Sequence, residues 1–485
     1  MTALALAALL AGCAVGPDYV RPAMELPQAY KENGPWKVAA PGQIDGNQRW
    51  WEAYRDPILN ELIVQANAAN QNIRQSEAQY RQAQAAAQIA RASLWPTVGA
   101  SAGATRGQSN TNGVQRLADT YSVGLNASWE ADVWGRIRRS VEAGDITAEA
   151  GAASLAAARL SIQATLAQDY LQLRVTDLQK DLYRRTVEAY ARSLQLTTHQ
   201  YQAGTALRSD VAQAETQLLS AQAQLIDLDA TRNQLEHAIA ILLGRAPAAF
   251  SLPPLSAATP SASAMDANAL ALQARLPVIP TGLPTDLLER RPDIANAERL
   301  AAAANANIGV ARAAYFPALT LSTSGGYNSL AFAQLFDTPS RVWSLGSTLA
   351  ATIFDGGARS ARNDQAVAAY DAAVATYKQT VLGGLQEVED NLSTLRVLDQ
   401  ESAVQARAVQ AAQLAERLAL SQYQAGTVTY LSVVTTQAAS LTNQRTAVTL
   451  LGRQLVASVA LVKATGGGWH TGQPEPQAPQ PLAAR

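Results

Sequence analysis

Apolar and polar residues alternate in two stretches of the chain. From 121 to 129, Tyr121, Val123, Leu125, Ala127 and Trp129 are interleaved with Ser122, Gly124, Asn126 and Ser128. From 343 to 353, Trp343, Leu345, Leu349, Ala351 and Ile353 alternate with Ser344, Gly346, Thr348 and Thr352. A period of two predicts strands. Weaker alternation predicts partners at 97–106, through Val98, Ala100, Ala102 and Ala104, and at 318–327, through Leu319, Leu321 and Tyr327. Each run is about ten residues, the length of a transmembrane β-strand. One polar and one apolar face suits a membrane barrel. It equally suits a half-buried soluble sheet, which the strands alone favour.

Elsewhere the pattern is helical. Pro-free sequence runs from Ile137 to Gln202 and from Arg359 to Gln424, and each run predicts a helix roughly 100 Å long. That is far beyond the three or four turns of an average globular helix. Heptads follow. Val211, Leu218 and Leu225 are seven apart, as are Leu228, Leu235 and Leu242, and Val434, Leu441, Val448, Leu455 and Val462 keep the same step. Such spacing predicts coiled-coil pairing. Gly204 and Gly426 each follow a long helix and predict αα-hairpin turns.

The chain repeats itself. Tyr201-Gln202-Ala203-Gly204-Thr205 recurs as Tyr423-Gln424-Ala425-Gly426-Thr427. Arg91-Ala92-Ser93-Leu94-Trp95-Pro96 has its counterpart, at almost the same offset, in Arg312-Ala313-Ala314-Tyr315-Phe316-Pro317. Each copy reads helix, strand, strand, very long helix, helix, a mainly α fold with a β part. The copies span 56–245 and 286–467, joined by a Pro-rich linker at 246–285. The tail, 468–485, is rich in Gly, Pro and Gln and reads as disordered.

Four strands per chain decide what the sheet can be. Single-chain barrels begin at eight strands, and an open edge is not tolerated in lipid. Either the sheet is soluble, or several chains share one barrel; three chains would supply twelve strands.

Composition narrows the chemistry. Among 485 residues the formal net charge is -1, and only 6% are aromatic. No basic cluster points to nucleic acid. His199, His237 and His470 stand apart, and no phosphate loop or Ser–His motif accompanies them, so no enzyme activity, cofactor or metal site is implied. The single cysteine, Cys13, ends a short apolar run in Leu10-Ala11-Gly12-Cys13. This resembles the lipobox of bacterial lipoproteins: residues 1–12 read as a signal peptide, Cys13 as the lipidated residue, and 13–55 as an extended N-terminal segment. An ordinary buried cysteine is the alternative. Ala14, where Asp commonly retains lipoproteins in the inner membrane, permits outer-membrane delivery.

Five further runs carry a family resemblance. They are Gly12-Cys13-Ala14-Val15-Gly16-Pro17-Asp18-Tyr19 through Pro22, Trp50-Trp51 with Asp56-Pro57, Asp286-Leu287-Leu288-Glu289-Arg290-Arg291-Pro292-Asp293-Ile294, Phe316-Pro317, and the doubled Tyr-Gln-Ala-Gly-Thr turn. Over about 14–467 the chain resembles the TolC-like outer-membrane factors, in the NodT-type lipoprotein branch of RND-type tripartite systems. The resemblance implies a homotrimer with a twelve-stranded outer-membrane barrel and a periplasmic α-helical tunnel. It also implies a periplasmic adaptor and an inner-membrane pump as partners, and passive export of small molecules such as drugs or toxic compounds. At the hairpin tips it implies an acidic gate. Asp210 matches a gate position, Arg208 is a partner for a neighbouring chain's Asp, and Ser432 and Thr435 stand where relatives often carry Asp. Asp210 alternatively reads as a helix-start residue favoured by the helix dipole. Tyr201, Gly204 and Thr205, with Tyr423, Gly426 and Thr427, are the expected adaptor contacts. Trp95, Trp134, Phe316 and Phe354 form either an interfacial aromatic belt or plugs between strands and helices. The rival readings are a periplasmic coiled-coil tether without a pore, and a duct for metal ions or secreted proteins.

Overall fold

In the computed structural model, residues 14–32, 49–111, 114–255, 276–277 and 284–468 are described. The signal peptide 1–12, Cys13, most of the linker, and the tail from 469 with His470 lie outside them.

After a 3-10 turn at Trp50–Tyr54 come α1 (Pro57–Ala69), α2 (Gln71–Ala92), β1 (Thr97–Thr111), β2 (Val114–Ala131), α3 (Arg136–Gln202) and α4 (Arg208–Leu242). The same order then recurs as α5 (Leu287–Arg290), α6 (Pro292–Ala313), β3 (Ala318–Ser329), β4 (Arg341–Ala350), α7 (Ala358–Gln424) and α8 (Tyr430–Ala464). Helices α3 and α7 have 67 residues each, and α4 and α8 have 35 each. The long helices start within one residue of the Pro-free boundaries.

The expected leading helix of each copy is two helices. In the first copy Asn70 breaks it. The Asn70 side-chain oxygen accepts from the amides of Asn72 and Ile73 and so starts α2, while its Nδ2 donates to Leu242 O at 2.8 Å. In the second copy the break falls at Arg291, ahead of Pro292, whose ring disfavours helical backbone in the residue before it. Arg291 Nη1 donates to Ala464 O at 3.1 Å. Two different side chains, at matching places in the repeat, thus hold the last carbonyls of α4 and α8, which have no intrahelical partner.

Two compact units result. One gathers the described parts of Met1–Met24, Ala78–Ala153 and Ala295–Thr380; the other gathers those of Glu25–Glu77, Ser154–Ile294 and Val381–Arg485. The second has its core around Trp50, Tyr54, Ile63, Tyr170, Leu171 and Leu455. Three buried polar side chains of that core are paired: Trp50 Nε1 donates to Gln163, Tyr170 OH donates to Asp56 Oδ2 at 2.8 Å, and Tyr54 OH is hydrogen-bonded to Ser458 Oγ. In the same unit a buried network of Arg174, Asp177, Arg232 and Glu236 clamps the start of the linker. Arg174 donates to Pro253 O, Arg232 to Leu252 O, and Asp177 accepts from the Leu255 amide.

The first unit holds the sheet, antiparallel throughout, in the order β1-β2-β3-β4. The central pairing of β2 with β3 joins the two copies. β1 and β2 have 15 and 18 residues, longer than the ten that alternation predicts. Their outer halves are polar and are held by cross-strand pairs: Arg106 with Asp119 at 3.5 Å, and Gln108 Nε2 donating to Gln115 at 2.7 Å. β4 stops at Ala350, so Ile353 and Phe354 lie beyond it. Among the described residues the outer edges of β1 and β4 have no strand partner.

Candidate functional site

The register puts the alternating residues on opposite faces of the sheet. Tyr121, Val123, Leu125, Ala127, Trp129 and Ala131 of β2 share a face with Val98 and Ala100, with Leu319 and Leu321, and with Trp343, Leu345 and Leu349. This apolar face is bare: Trp343 and Leu345 are 78% and 76% exposed. The other face is small and polar. It carries Gly99, Ser101 and Gly103 of β1, and its pattern continues through Ser122, Gly124 and Asn126 of β2. On β3 and β4 it carries Thr320, Ser322, Ser324, Ser344 and Gly346. Among the described side chains Glu130 is the charged residue of this face, and Arg136 holds it through two hydrogen bonds of 3.0 and 2.7 Å. A Cβ at Gly326 would lie on the backbone of Val123 and Gly124, so only glycine permits that close approach of β3 to β2.

The aromatic junction residues divide. Trp134 stacks on Phe316, centroids 4.8 Å apart, and its Nε1 donates to Pro317 O at 2.8 Å. These two act as a plug between sheet and helix. Trp95 and Phe354 are exposed and take no part in such a plug.

The second unit carries the hairpin turns, which are alike in backbone. Gly204 and Gly426 both have φ 76, a left-handed conformation that costs an L side chain about 1 kcal/mol or more. Thr205 and Thr427 each return their hydroxyl to the carbonyl five residues back, at Gln200 and Gln422, both at 3.0 Å. Their surroundings differ. Tyr201 is 45% exposed, whereas Tyr423 is 7% exposed and packs with Tyr430, Val433 and Ala214. The rings of Tyr423 and Tyr430 are 5.2 Å apart. Burial pushes the Tyr430 phenol up to about 12, with the Tyr423 and Asp210 charges adding to the rise.

Asp210 is half-buried and accepts from the Leu207 amide at 3.2 Å, closing the first turn of α4. Arg208 is exposed and makes no ion pair among the described residues. Ser432 is half-buried, and the exposed Thr435 returns its hydroxyl to Leu431 O and Ser432 O at 3.0 Å. The structure therefore brings Asp210 towards Tyr423 and Tyr430 and leaves Arg208 apart. Tyr430 was missed by sequence reasoning. It occupies in the second copy the place that Arg208 holds in the first, so an aromatic at the repeat position of an exposed Arg was the available signal.

A bare apolar sheet face, a small polar face behind it and paired helical hairpins define a channel-type subunit of a membrane. The chain belongs to the outer membrane efflux protein family, whose sequence profile matches residues 62–245 and 283–467. It is similar to the pyoverdine export outer membrane protein OpmQ of Pseudomonas aeruginosa, 34% identical over 447 residues that cover 90% of this chain and 91% of the relative. It is similar also to the toluene efflux pump outer membrane protein TtgC of Pseudomonas putida, 31% identical over 483 residues covering 97% and 96%. Among solved structures it resembles the outer-membrane channel OprN, with 30% identity, a TM-score of 0.84, and coverage of 94% of this chain and 100% of that one. The chain is an outer-membrane efflux channel subunit.

Proposed function

We propose that three copies of this chain form one passive conduit from periplasm to exterior, with twelve strands closing a barrel and the hairpins forming a tunnel. The observation that carries this is the sheet: an exposed apolar face between two unpaired edges. In water such edges template aggregation, and in lipid they are not tolerated, so closure with further copies is the stable outcome. The apolar face of β2 runs from Tyr121 to Ala131. That is about 34 Å along the strand, and about 24 Å of height at a tilt of roughly 45°, close to the apolar band of outer-membrane barrels. Exposed seams on the helices agree: Val397, Val404 and Leu418 on α7, and Leu219 and Ile226 on α4, keep heptad steps and stay half or more exposed among the described residues.

Each chain supplies two halves, 56–245 and 286–467, and Cys13 supplies a lipid anchor. An inner-membrane pump drives transport through a periplasmic adaptor, which meets the turns at Tyr201, Gly204, Thr205, Tyr423, Gly426 and Thr427. Asp210 with Arg208, Ser432 and Thr435 lines the periplasmic gate. The cargo is small organic molecules, in keeping with the relatives named for pyoverdine export and toluene efflux. No catalysis is needed, because the pump sets the gradient.

The native mass of the detergent-extracted protein tests this. A mass of about three times 51.2 kDa is expected. A monomer that stays soluble without detergent would overturn the conduit.

A further inference from the structure

The apolar face of the sheet is not smooth. Near its outer end lies a trough of about 640 Å³ that crosses all four strands. Its floor is small, made by Ala100, Ala102 and Gly325, and its walls are Tyr327, Phe336 and Trp343. Phe336 belongs to the β3–β4 connection and is fixed edge-to-face on Tyr327, centroids 5.5 Å apart. Arg341, the cross-strand partner of Tyr327, stands at the rim. It makes no ion pair among the described residues, whereas the other arginine of this face, Arg106, is neutralised by Asp119.

We propose that this trough binds an outer-leaflet membrane lipid, its acyl chains on the Ala and Gly floor and its head-group phosphate on Arg341. The proposal rests on the reading that the sheet spans the outer membrane. On that reading the β3–β4 connection faces the exterior, and Arg341 falls at the level of the head groups. Three features select this occupant. The floor has no polar side chain, so it suits methylenes. The walls are aromatic, as at membrane interfaces. The rim presents one unpaired guanidinium, whose planar fork matches a phosphate bidentately. All of the lining comes from one chain, so a trimer carries three such sites.

Native mass spectrometry of the delipidated, detergent-solubilised protein tests it, titrated with a bis-phosphorylated, acylated glucosamine lipid and, separately, with zwitterionic phosphatidylethanolamine. The expected result is saturation at three phosphorylated lipids per trimer, with phosphatidylethanolamine binding more weakly. Arg341→Gln is expected to weaken binding about tenfold, through loss of one charge-assisted contact. Ala100→Phe, which fills the floor and leaves Arg341 in place, should weaken it as well. A trimer whose lipid uptake never saturates, or is unchanged in both variants, would overturn the lipid site while leaving the barrel intact. A detergent-independent monomer would overturn the barrel and the lipid site together.

Discussion

Glu416 of α7 is a carboxylate that its helix neighbours partly bury. Burial raises its pKa, opposed by a hydrogen bond from Ser440 and by the charge of Arg417. A carboxylate held above its unfolded value keeps its proton longer in the folded state. Its destabilising effect is therefore absent below the unfolded pKa, grows as pH rises from the unfolded to the folded value, and is complete above the folded one. Glu416→Gln is expected to raise the melting temperature at pH 7 and to leave it unchanged at pH 4, measured by circular dichroism at both values. A loss of stability at pH 7 would show that the Ser440 hydrogen bond outweighs burial. This residue was illegible in the sequence, where one Glu on a polar helix looks solvated until α8 is placed beside it. Asp210 was singled out because it sits six residues after Gly204, where the family resemblance implies an acidic gate position.

Elements depend on a few side chains at their ends. Arg291 is buried and joins α6 to α7 and α8: it meets Asp293 through two contacts of 3.0 and 2.6 Å, Glu387 at 2.7 Å and Ala464 O at 3.1 Å. Its counterpart Asn70 makes neutral hydrogen bonds only. Hydrogen bonds to charged groups are worth about 1.5–3 kcal/mol, neutral ones about 1. Arg291→Ala is thus expected to cost about 2 kcal/mol, and Asn70→Ala about 1, read as shifts in a urea unfolding midpoint; equal losses would remove the charge from the account. The long helices were legible because no proline interrupts either run. The break at Asn70 was not, since Asn inside a polar helix is unremarkable without the Leu242 carbonyl that it serves. The polar halves of β1 and β2 were hidden too: alternation reports the chemistry of two faces, and a backbone ladder continues where both faces are polar.

At the scale of the whole molecule, the duplicated chain makes two hairpin tips that share one backbone and differ in charge. The first tip presents Arg208 and Asp210; the second, at the same repeat positions, has Tyr430 and Ser432. A three-fold assembly then carries three Asp210 carboxylates around its axis and none from the second tip. In the proposed gate that ring would attract cations. Asp210 also closes the first turn of α4 through the Leu207 amide, worth about 1 kcal/mol. Two substitutions separate these roles. Asp210→Asn keeps a side-chain oxygen for the amide and removes the charge; Asp210→Ala removes both. In planar bilayers, both variants are expected to lose cation preference and to conduct severalfold more than the parent. A change confined to Asp210→Ala would mean that the tip is held by the hydrogen bond rather than by the charge. Unchanged conductance and selectivity in both would leave Asp210 as a residue that only starts a helix, and would place the narrowest point of the conduit elsewhere.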